Sequence, residues 1–95
     1  MEQFQVAHIN VQGVNVVVVF VNPGLGLRPR IEQQQVLDAL QSCASAAGLA
    51  GNVVLVWRDN AGLMNFIAPP NQHAFFRSVT FESLYGQINK TLRCG

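Results

Sequence analysis

Val16-Val17-Val18-Val19-Phe20-Val21 is an unbroken apolar run in a chain of 95 residues. Successive side chains of a strand point to opposite faces, so a strand with one wet face alternates apolar and polar residues. This run does not alternate. That pattern is expected only where both faces of a sheet are covered.

Immediately before the run, Gln12-Gly13 separates residues 4–11 from residues 14–21. Gly13 supplies the positive φ that a two-residue hairpin loop demands, so the two stretches read as a β-hairpin. The turn sets Val11 opposite Val14, Ile9 opposite Val16 and Ala7 opposite Val18 on one face. The other face carries Phe4, Val6 and His8 against Val21, Val19 and Val17; it is apolar at the open end and polar near the turn. The first face reads as the main core and the second as partly covered.

After the run, Asn22-Pro23-Gly24 breaks the strand, and a loop through Arg28-Pro29-Arg30 enters a helix over about residues 30–47. Pro29 suits a first helical turn, and Glu32 suits the positive end of the dipole. Val36, Leu37, Leu40, Cys43, Ala44 and Ala47 form an apolar stripe at helical spacing. Gly48-Leu49 reads as a C-terminal cap with its hydrophobic contact.

Asn52–Arg58 and Leu63–Ala68 read as a second hairpin around the turn cluster Asp59-Asn60-Ala61-Gly62. Pro69-Pro70 ends the sheet, and a short turn or helix holds His73-Ala74-Phe75-Phe76. Thr80 caps a final helix whose buried stripe is Phe81, Leu84, Tyr85, Ile88 and Leu92. The order is ββαββα. The expected fold is α+β, one domain over residues 1–95: a four-stranded, mainly antiparallel sheet with two main helices in a two-layer sandwich.

Charged residues make up 12% of the chain, about half the usual fraction of roughly 25%. Low charge together with an unbroken apolar strand points to self-association, with a homodimer through an apolar sheet face as the expected assembly; helices flanking the sheet from opposite sides would explain the apolar strands without it. The net charge of +1 is spread along the chain, so neither nucleic acid nor an anionic membrane surface is an expected partner. The start lacks a basic segment followed by an apolar one. Cys43 and Cys94 lack metal-ligand spacing. The expectation is a cytoplasmic protein with reduced thiols, no metal and no cofactor.

The best local candidate for chemistry is Gly24-Leu25-Gly26-Leu27-Arg28-Pro29-Arg30. A helix N-terminus offers free N–H groups, and arginine forks grip carboxylates and phosphates, so Gly24, Gly26, Arg28 and Arg30 are candidate binding residues for a small anion. Gly-Leu-Gly lacks the third glycine of a dinucleotide fingerprint and the Gly-Lys-Ser/Thr of a P-loop. A tight crossover with solvated arginines explains the same residues. His8 and His73 are the only histidines and the candidate polar pocket, although no serine or cysteine is tied to either by spacing and carboxylates are few. Trp57-Arg58 is the one aromatic–basic step on a strand, and core packing accounts for the aromatic residues better than base stacking. The polar residues that catalysis needs are sparse and unclustered. A non-enzymatic, homo-oligomeric binding module is therefore the favoured reading, with a small anion-binding domain or small enzyme as the alternative.

Overall fold

In the computed structural model, which describes residues 2–94, Gln12 and Gly13 take positive φ values of 51° and 84°. Such a turn matches the twist of the strands it joins. It links β1 (Glu2–Val11) to β2 (Val14–Phe20) in the expected register, with Val11 opposite Val14, Ile9 opposite Val16 and Ala7 opposite Val18. The chain then passes through a 3-10 turn at Pro23–Leu27 into α1 (Arg30–Ala46). Gly48 ends that helix at φ 80°, with Leu49 N–H donating to Ala44 O at 3.0 Å and the Leu49 side chain against the core. This is the expected glycine cap.

β3 (Asn52–Arg58) returns parallel to β2, pairing Val16 with Asn52 through Phe20 with Val56. Then come β4 (Met64–Ile67), antiparallel to β3, a 3-10 turn at Pro70–Gln72, α2 (His73–Ser78) and α3 (Phe81–Tyr85). The last element is not helical. β5 (Lys90–Cys94) lies antiparallel to β1, so the sheet has five strands in the order β4-β3-β2-β1-β5.

The α+β class holds, while the strand count, the ββαββα order and the two-layer arrangement are corrected. Thr80 does cap a helix, its Oγ1 accepting from Ser83 N–H at 3.1 Å. That helix stops at Gly86. Beyond it the side chains alternate: Leu92 is buried at 1% exposure, while Thr91 and Arg93 face solvent. Asn89 begins the switch by imitating a strand residue. Its side chain accepts from His8 N–H at 2.9 Å and donates to His8 O at 3.0 Å, which extends the β1 ladder.

The apolar strands are covered within one chain. Val17, Val19, Val53, Leu55 and Trp57 pack under Leu40 and Ala44 of α1. On the opposite face Val16, Val18, Val54 and Val56 pack under Phe76 of α2 and Leu84 of α3. Three layers thus explain the unbroken run: the Val17–Val19 face, expected to be partly bare and to form a dimer, is filled by α1, and the Val16–Val18 face by α2 and α3.

The expectation of two reduced thiols is also corrected. Cys43 of α1 and Cys94 of β5 form a disulfide with Cα atoms 5.9 Å apart. By chain entropy alone, a crosslink across this separation of 51 residues stabilises by about 4 kcal/mol. None of the described helices is long and apolar enough to cross a membrane.

Candidate functional site

β2 and β3 are parallel, so their carboxyl ends open at the same end of the sheet. From there β2 leads through the Pro23–Leu27 turn to α1 on one face, while β3 turns back into antiparallel β4, so the chain enters α2, on the other face, beside the first residue of β3.

The loop leaving β2 is pinned from several sides. Val21 N–H donates to Val56 O at 3.0 Å, and Asn22 Oδ1 accepts from Gly24 N–H at 2.7 Å. Leu25 N–H returns to Asn22 O and Arg28 N–H to Leu25 O. Gln33 of α1 reaches back, its Nε2 donating to Leu25 O at 3.1 Å and Arg28 O at 3.2 Å. The amides of Gly24, Leu25 and Arg28 are therefore spent within the loop. They form no cradle for a phosphate, and the arginine side chains remain as its outward-facing chemistry.

The loop divides two hollows. The larger is an open groove of about 1030 Å³ between the loop, α1 and strands β1 and β5. Phe4, Val21, Leu25, Val36, Leu40 and Cys94 supply its apolar surface; Asn22, Arg28, Glu32 and Gln35 supply its polar part. Arg28 and Glu32 form an exposed pair at 3.5 Å, one helical turn apart. The smaller, about 270 Å³, lies between the loop and Trp57, Asp59, Asn60 and Asn65. Asp59 is committed to its own turn: Oδ1 accepts from Ala61 and Leu63 N–H, and Oδ2 from Asn65 Nδ2. The Leu63 amide, then Asn65, hold its carboxyl below the ordinary range.

The structure separates the residues singled out in the sequence. Gly24 and Arg28 line the groove. Gly26 faces the other way, where a Cβ would lie 2.9 Å from Trp57 Nε1, so this glycine allows the loop to rest on the indole. Arg30 opens α1, exposed, and lines neither hollow. Leu27, between the two, is 90% exposed.

His8 lies toward the far end of the sheet, where its Nε2–H donates to Ala50 O at 2.8 Å. His73 donates to Ala68 O at 2.7 Å and meets the Phe66 ring edge-on, on the α2 side. The histidines therefore share no pocket with each other or with the arginines. Arg58 is engaged too, bonding Glu82 at 3.0 Å above the Phe81 ring. Among the described residues, no group of three or more His, Cys, Asp or Glu side chains is placed to hold a metal ion.

The sequence reading missed the groove walls contributed by Phe4, Val36, Leu40 and Cys94. The available signal was the alternation of Leu92 and Cys94 with Thr91 and Arg93, which puts Cys94 on the same face as Phe4. Comparison with protein-family models, with curated proteins and with solved structures finds no match. The groove must be read from its own chemistry.

Proposed function

We propose that the chain is a non-enzymatic binding domain whose groove takes a small amphipathic ligand, an elongated apolar body ending in one carboxylate. The observation that supports this is the groove itself, with its apolar lining and Arg28 at the edge. Its volume suits a small molecule. Glu32 orients the Arg28 guanidinium without enclosing it, since the side chain keeps 65% of its exposure. A ligand carboxylate would share that cation, and at such exposure the ion pair adds about 0.5–1 kcal/mol, roughly two- to fivefold in affinity.

The test is titration with decanoate, decanol and decylamine below their aggregation limits, followed by amide chemical shifts. Decanoate should bind best and decylamine worst, with shifts centred on Leu25, Val36 and Phe4. Arg28→Gln should erase the advantage of decanoate over decanol. Failure of all three probes to move those amides would sink the reading.

Self-association is supported by a separate observation. Leu27 and Ile31 are 90% and 68% exposed, apolar side chains beside the entry to α1. Sedimentation of the wild type against a Leu27→Ser/Ile31→Ser variant tests this: a wild-type dimer that the variant loses supports it, and a monomeric wild type rejects it.

A further inference from the structure

We infer that the Cys43–Cys94 disulfide is a redox latch on β5, the edge strand whose last residue lines the groove. β5 has a single strand neighbour, β1, and the ladder between them runs from Val6–Lys90 to Glu2–Cys94. Besides that ladder, two side chains tie β5 to the body: Leu92 in the core beneath α1, and the bridge at Cys94. Short edge elements with one exposed flank open at low free energy. With the bridge cut, opening starts at Cys94 and carries away part of the groove wall.

Both cysteines are half-buried, so neither is sealed from a reductant. The reductant is a dithiol. Its thiolate attacks one sulfur of the bridge, forming a mixed disulfide and releasing the other cysteine as a thiolate that takes up a proton. Its second thiolate then displaces the first cysteine, which is protonated in turn. The dithiol leaves as a disulfide, having delivered two electrons. Reducing compartments hold such pairs as thiols and oxidising ones hold them as bridges, so the two groove states follow the surroundings.

The ligand side of this inference rests on the groove reading, whereas the latch does not. The test compares oxidised protein with protein reduced by dithiothreitol, and includes a Cys43→Ala/Cys94→Ala variant as the control that no reductant can alter. Hydrogen exchange should quicken in residues 90–94 and in the paired start of β1, with β3 still protected. If reduction leaves about a tenth of the molecules with β5 docked, the apparent Kd for decanoate rises about tenfold. The variant should match the reduced form with or without dithiothreitol.

Unchanged exchange in β5, or unfolding of the whole chain on reduction, overturns the latch. Equal decanoate affinity in both states overturns its hold on the groove. Decanoate binding to neither state rejects the groove reading, and the exchange data still decide the latch.

Discussion

Asn52 and Gln72 exchange two side-chain hydrogen bonds. Asn52 Nδ2 donates to Gln72 Oε1 at 3.1 Å, and Gln72 Nε2 donates to Asn52 Oδ1 at 3.2 Å. Gln72 is the one buried polar residue among those described, at 6% exposure. The pair ties the first residue of β3 to the turn that launches α2, so it sets where the second helical layer lands. A buried amide left without its partner costs about 1–3 kcal/mol. Gln72→Ala and Asn52→Ala should therefore couple, with an interaction of about 0.5–3 kcal/mol in a double-mutant cycle read by denaturant unfolding. Additive losses would mean that water replaces either amide freely.

Asp59 gives the chain a local response to acid. Its carboxylate is stabilised first by the Leu63 amide, then by the Asn65 side chain and the Ala61 amide, and its pKa lies below the ordinary 3.8. A depressed carboxyl stabilises the fold above its unfolded pKa and loses that contribution as pH falls through the folded value. The β3–β4 turn should thus be unaffected between about pH 5 and 8 and loosen only below about pH 4. In an NMR titration the Leu63 and Ala61 amide shifts should move with a midpoint below 3.8. Asp59→Asn should abolish that step, and a midpoint above it would contradict the proposed hydrogen bonding.

Two glycines with positive φ separate backbone strain from collision. At Gly13, φ is 84° and nothing lies near a hypothetical Cβ. At Gly51, φ is 115° and a Cβ would overlap the carbonyl of Asn15, where the starts of β2 and β3 meet. Gly13→Ala should cost about 1–2 kcal/mol, the conformational term alone. Gly51→Ala adds the displacement of a backbone carbonyl beside the central parallel pair, so it should cost clearly more. Thermal unfolding of the two variants checks the order, and equal losses would show that β2 yields at Asn15.

Local chemistry made the first half of the chain legible. Gln12-Gly13 dictated a hairpin and its register, Gly48 ended a helix, and the valine run demanded two covered faces. What covers the Val16–Val18 face, and what edges the sheet beside β1, depended on residues 73–94, where local signals conflict. Ile88 and Leu92 fit a helical spacing, yet Leu92 and Cys94 fit the alternation of a strand equally well, and five residues are too few to decide. The decisive contacts are distant in sequence: Asn89 with His8, and Cys94 with Cys43. The candidate site suffered for the same reason. Arg28 and Gly24 stood out as a loop motif, but the groove beside them needs Phe4 from β1 and Cys94 from β5.

That conflict between helix and strand yields a direct test in β5. A helix presents positions four apart on one face, whereas a strand separates neighbours onto opposite faces. Leu92 is enclosed at 1% exposure beneath α1, while Thr91 pairs with Gln5 on the outer, exposed flank of the same sheet. Leu92→Asp buries an unpaired charge in the core, which is strongly destabilising and should lower the melting temperature far more than a change at an exposed position. Thr91→Asp keeps its charge in water and should change stability by less than about 0.5 kcal/mol, as surface substitutions do. Leu92→Ala, a milder change, should cost about 2–5 kcal/mol through lost contacts and a cavity. Circular dichroism melts of the three variants in the oxidised state keep the disulfide constant throughout the comparison. Tolerance of aspartate at both positions would show that β5 is not docked against the core.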